Sequence, residues 1–291
     1  MAAPLSSNSK PSRRRYYSER IGSALPRAGF DLDELKRFFV NSYVDLVDEG
    51  LFQEWFGYSC VDRGVVDGKA GRDLPLFVYR KLRKTGIWPF DQNIFVCDED
   101  EIFDVIEFLF DHASAGVDGV NHDFNDCGWH YERFNKAEGQ ERFRIAMNEI
   151  LTEYGNGFEL SADGEILTLA EEGLDPLLSA PLPSSDPKNV TARVDAAVLK
   201  FRRRSSTGAE RRDAARDLAD VLEFLRPEAK KVLNSDDESD LFKLANNFGI
   251  RHHKQGQKTD YDQAIWLSWI FYYYLATIHA CVRLIEKAKP K

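Results

Sequence analysis

The chain has 291 residues, of which 43% are hydrophobic and 30% charged, with a formal net charge of −9. That length and apolar share imply a real core and two domains, which excludes a disordered chain and a small disulfide scaffold. An excess of 48 acidic over 39 basic side chains excludes a nucleic-acid coat over the whole surface and leaves room for a local basic site.

Four cysteines, Cys60, Cys97, Cys127 and Cys281, form no Cys-x-x-Cys pair, and so few thiols fit a reducing, cytoplasmic setting. Residues 1–15 carry four positive charges, no acid and no apolar run, and read as a disordered basic arm rather than a signal peptide.

Asp31 or Asp33 can cap a helix whose apolar face holds Leu35, Phe38, Phe39, Tyr43 and Leu46, and Gly50 ends it. An aromatic stretch follows at Phe52, Trp55 and Phe56. Residues 73–84 have helical spacing that Trp88-Pro89 closes. The segment 98–112 gathers acids in its first turn, where the helix dipole favours them. Residues 138–154 are amphipathic through Phe143, Ala146, Ile150 and Leu151. Two apolar-alternating runs around Asp163-Gly164 then predict one β-hairpin. A helix followed by a hairpin is either a packing unit, the simpler reading, or a winged-helix fragment of a DNA-binding regulator.

The proline- and serine-rich stretch LLSAPLPSSDPKN cannot continue a helix and places a linker at 179–188. A first domain is therefore expected over 16–178 and a second over 189–288. The second reads as an all-α bundle. Its helices fall at about 189–203 and 209–225, from Pro227 to Leu233, after a cap at Asp236 or Ser239, and from Tyr261 to Lys287. Ile265–Val282 has no formal charge, yet its three tyrosines, Ser268, Thr277 and His279 favour a buried bundle helix over a membrane span. The fold class expected is mainly α.

Chemistry concentrates at NNFGIRHHKQGQKTDYD, 246–262, where Asn246, Asn247, Arg251, His252, His253 and Lys254 crowd one helix junction. Adjacent histidines beside cations offer a proton shuttle and a phosphate partner, the two functions a metal-independent ribonuclease needs. The same residues also serve as caps and turn residues in an ordinary helical hairpin. A second feature is basic: residues 200–216 hold seven Lys/Arg, including Arg202, Arg203, Arg204, Arg211 and Arg212, against two acids. They either line a phosphate path or neutralise helix ends. A third is His112, His122, Cys127 and His130, whose spacing can supply metal ligands but equally fits a polar interface or sensing loop. The loop reading is preferred, so no metal and no cofactor is expected. No GxGxxG, P-loop, GxSxG or HExxH motif occurs.

The stretch DLFKLANNFGIRHHKQGQKTDYDQAIWLSWIFYYYLATIHACVRLI resembles the HEPN-type helical domains of bacterial abortive-infection proteins. YYSERIG at 16–22, DEGLFQEWFG at 48–57, FDVIEFLFDH at 103–112 and CGWHYERF at 127–134 resemble an AbiJ-type N-terminal domain. The resemblance implies a prokaryotic anti-phage protein with a HEPN-like bundle that cleaves or binds RNA and forms a homodimer with its site at the interface. Where that family separates its Arg and His by several residues, Arg251 here runs straight into His252 and His253, a displaced version of the pair. Asn247 is the candidate polar neighbour, and Lys254 with the arginines of 202–212 the candidate RNA contacts. The alternative is a catalytically inactive HEPN-like scaffold for dimerisation or for binding RNA or a partner.

Overall fold

The computed structural model describes residues 16–22, 29–170, 173–184, 186–233 and 263–289. Their backbone divides into two compact units, Leu25–Leu169 and a second drawn mainly from Ala170–Lys291, to which the short helix α1 (Tyr17–Arg20) also belongs. The first unit ends at Leu169, short of the expected 178, because Leu174, Leu177 and Leu178 pack on the core of the second. Leu182 does the same from within the expected linker.

In the first unit Asp31, rather than Asp33, caps α2 (Leu32–Asp48): its side chain accepts from the Glu34 N–H at 2.9 Å, and Glu34 accepts from the Asp31 N–H at 3.0 Å. This reciprocal box satisfies two backbone donors that the first helical turn leaves open. Leu35, Phe39, Tyr43 and Leu46 face the core as expected, whereas Phe38 is 44% exposed. Two short helices, α3 (Gln53–Phe56) and α5 (Phe90–Asn93), flank α4 (Leu74–Leu82). A second capping box, Asp98 with Glu101, starts α6 (Glu99–His112), and Asn135 caps α7 (Lys136–Leu151). Helices α2 and α6 both pack on α7, around a core that includes Phe39, Phe90, Ile102, Ile106, Leu109, Phe143 and Leu151.

The strands are more numerous than the one expected hairpin. β1 (Tyr58–Cys60) pairs with β2 (Gly64–Val66) in a tight hairpin with Cys60 opposite Gly64. β3 (Ala115–Val117) pairs with β6 (Arg133–Asn135), and β4 (Val120–His122) with β5 (Gly128–His130). Val117 opposite Arg133 and Val120 opposite His130 keep one register, so these four strands form a single ribbon interrupted at Asp118-Gly119. Asp118 has a φ of +52°, and a side chain at Gly119 would meet the Tyr131 ring. The interruption is therefore where the ribbon wraps an aromatic side chain.

The expected hairpin is β7 (Phe158–Leu160) with β8 (Ile166–Thr168). It is fastened down rather than projecting. The Asn148 amide of α7 holds both the N–H and the C=O of Leu160, and Glu107 of α6 accepts from the Ile166 N–H at 2.7 Å. With Phe158, Leu160, Ile166 and Leu167 buried, it is a packing hairpin and not a wing.

In the second unit α8 (Asp175–Ser179) precedes a π-helical turn, Pro187–Thr191, that runs into α9 (Ala192–Arg202). After the Ser205–Thr207 turn, a Thr207–Glu210 capping box starts α10 (Gly208–Ala229). The expected break at Pro227 does not occur. Proline lacks a donor, so the Glu223 carbonyl goes without its ladder bond, and the helix runs only two residues further, to Ala229. The final helix, α11 (Gln263–Ala288), packs on α10, which also packs on α9. Leu218, Val221, Leu222, Ile270, Phe271, Tyr274 and Ile278 are buried between them. Among the described residues α11 is the one helix apolar and long enough to cross a membrane, and most of it is buried in this bundle.

Candidate functional site

The β1–β2 hairpin and the tip of the ribbon bring four soft or imidazole donors together. Cys60 closes β1, His122 closes β4, Cys127 ends the turn at the tip, and His130 closes β5. Gly128, at φ +74°, and Asn125, at φ +54°, supply the left-handed backbone that folds Cys127 back toward His122. One ligand atom from each of Cys60, His122, Cys127 and His130 lies within 4.8 Å of all the others.

The local contacts orient these atoms. Cys60 Sγ stands 3.5 Å from His122 Nδ1. The other nitrogen of that ring, Nε2, stands 3.0 Å from Asp62 Oδ2. A carboxylate at Nε2 holds the proton there, so the Nδ1 lone pair faces the cysteine. Cys127 Sγ accepts from the Val61 N–H at 3.4 Å, which ties the ribbon tip to the hairpin turn. His130 stacks on Tyr58 with ring centroids 4.2 Å apart. Both nitrogens of the His130 ring are shielded from solvent and have no hydrogen-bond partner. Desolvation, with His122 and Arg63 nearby, holds the His130 pKa below its ordinary value and keeps the ring neutral.

His112 is not part of this group, although its spacing made it a fourth ligand candidate. It is buried among Trp55, Phe56, Phe77 and Phe108, and its Nδ1 is 2.6 Å from the Phe108 carbonyl. Burial pushes its pKa down, and it serves as a neutral core side chain. Cys60 takes the place expected for it. The sequence offers no local signal for Cys60, because its partners come from a ribbon 62 residues further on. What joins them is tertiary structure.

The basic stretch of 200–216 spans the end of α9 and the start of α10. Arg203 and Arg204 are exposed, while Arg202, Arg211 and Arg212 are half-buried. Lys200 pairs with Asp217, Arg216 with Asp213 at 3.0 Å, and the Arg211 guanidinium lies 5.8 Å from the Phe201 ring centroid. Part of the positive charge is thus engaged within the bundle. Asn247, Arg251, His252, His253 and Lys254 lie outside the described residues.

No protein-family model, curated protein or solved structure matches the chain. What the fold defines is its class: a mainly α chain of two units, one of them carrying small antiparallel strands.

Proposed function

We propose that this chain is a cytoplasmic anti-phage protein of the abortive-infection kind, whose HEPN-like C-terminal bundle cleaves RNA without a catalytic metal and works as a homodimer. His252 or His253 moves the proton between the 2′-hydroxyl and the leaving oxygen, and Arg251, with Lys254, neutralises the charge that builds on the phosphorus. Asn247 positions the phosphate. The observation that supports this reading best is the basic turn between α9 and α10, which puts exposed Arg203 and Arg204 at one end of a helical bundle in a chain of net charge −9. The resemblance of residues 240–285 to HEPN-type domains supports it independently.

A second reading, an inactive scaffold of the same bundle, draws on the pairing of Lys200 with Asp217 and of Arg216 with Asp213, and on Arg211 lying against the Phe201 ring. Cations that neutralise the bundle are not available to a phosphate.

Total bacterial RNA incubated in EDTA with the purified full-length protein, beside His252→Ala/His253→Ala, separates the two. Circular dichroism checks that both proteins stay folded. Cleavage by the wild type alone is the expected result. Absence of cleavage with retained RNA binding overturns the catalytic reading in favour of the scaffold, and equal cleavage by both proteins overturns the assignment of the histidines.

A further inference from the structure

We propose that Cys60, His122, Cys127 and His130 form a zinc-binding centre that clamps the β1–β2 hairpin to the tip of the ribbon. This goes beyond the RNA reading and does not rest on it, since the site lies wholly in the first unit.

Two thiolates and two imidazoles at one point are the donor set of tetrahedral zinc, whereas oxygen-preferring magnesium and calcium find nothing there to bind. Bonds of about 2.3 Å to sulfur and about 2.0 Å to nitrogen place neighbouring ligand atoms of such a centre roughly 3.3–3.8 Å apart. The Cys60–His122 pair already stands at 3.5 Å, and the full set lies within 4.8 Å. Closing the remainder requires movements of about 1 Å, which the three-residue hairpin turn and the ribbon tip absorb.

Two further observations point to a bound cation. The first is the His130 ring, whose two nitrogens are both shielded and unpaired. Each such group costs about 1–3 kcal/mol when nothing binds it, and a metal bond accounts for one of them. The second is Asp62 on His122 Nε2 at 3.0 Å. A carboxylate behind a ligating histidine fixes the tautomer and raises the basicity of the nitrogen facing the metal.

Four protein ligands leave no open coordination position, so the centre is structural and activates no water. Its contribution is to folding. β1, β2, β4 and β5 have three residues each and none of their side chains belongs to the core around α2, α6 and α7, so short strands of this kind need a staple. A cleft of about 500 Å³ beside the ligands, rimmed by Asp62, Arg63 and Glu132, gives the ion an entry path.

The test is metal content of the full-length protein purified under reducing conditions from cells grown with zinc. The wild type and Cys281→Ser, which alters a thiol of the second unit, are expected to carry about one zinc per chain. Cys60→Ser and Cys127→Ser are expected to lose at least nine-tenths of it. Because these two variants can unfold, His122→Cys provides the reciprocal check: a thiolate in place of an imidazole keeps a four-ligand zinc site and retains the metal. Wild-type protein refolded with cobalt is expected to show thiolate-to-cobalt charge transfer and the ligand-field bands of tetrahedral coordination. Three results overturn the proposal: wild type without stoichiometric zinc and without those cobalt bands, Cys60→Ser or Cys127→Ser that keeps the metal, or folded His122→Cys that loses it.

Discussion

Cys60 and His122 are separated by 62 residues, yet the sulfur of one and Nδ1 of the other stand 3.5 Å apart. Behind that imidazole, Asp62 stands 3.0 Å from Nε2, so the ring bridges a carboxylate and a thiol. The carboxylate itself is 71% exposed, which weakens its hold on the ring. Asp62→Asn is therefore expected to lower metal retention by about tenfold, the small end of the range for an outer-shell partner. Competition between the protein and a chromogenic chelator measures it, and unchanged retention contradicts the orienting role of Asp62.

Gly139 sits in α7, where helix propensity alone favours alanine by about 1 kcal/mol. A Cβ there would stand 2.3 Å from Ser114 Cα and 2.4 Å from the Ala115 nitrogen, both backbone atoms that cannot turn aside. Gly139→Ala is accordingly expected to destabilise the first unit by about 2–3 kcal/mol. Chemical denaturation followed by tryptophan fluorescence gives the sign directly.

In the second unit Phe201 of α9 stacks on Phe271 of α11, with centroids 3.9 Å apart and planes 8° from parallel. Phe271 is fully buried. Phe201→Ala is expected to cost about 3–5 kcal/mol, since it empties a site between three helices that cannot easily close. Thermal unfolding of the full chain should show this loss in the transition of the bundle.

His112 provides a pH prediction. Its native pKa is lowered, first by burial, while the unfolded chain titrates near the ordinary value of about 6.5. The unfolded state then binds more protons as pH falls below about 6.5, so the side chain's favourable contribution is present above that pH and lost beneath it. The stability of wild type minus that of His112→Leu should fall between about pH 7.5 and 5.5. A difference that rises on acidification contradicts a neutral, buried His112.

Much of the helical frame was legible in the sequence, because its signals are local. Asp31 and Asp98 each carry a glutamate three residues on, and the 3.6-residue apolar period of α2, α6 and α7 is long enough to read. The Asp163-Gly164 turn was equally plain. The ribbon was not, since its strands of three residues carry Gly116, Gly128 and Asn121 and never build an alternating run. Of the metal-ligand group, His122, Cys127 and His130 announced themselves by closeness in the chain. Cys60 did not, and His112, close in sequence, was drawn away because helix α6 turns its ring into the aromatic core. Spacing identifies ligands only within one turn or loop; the fourth arrives by folding.

The most direct measurement of the central claim is zinc-edge X-ray absorption on the purified full-length protein. The account predicts a first shell of two sulfur scatterers at about 2.3 Å and two imidazole nitrogens at about 2.0–2.1 Å. A shell of oxygen and nitrogen without sulfur would place any bound zinc elsewhere and contradict the Cys60–His122–Cys127–His130 centre.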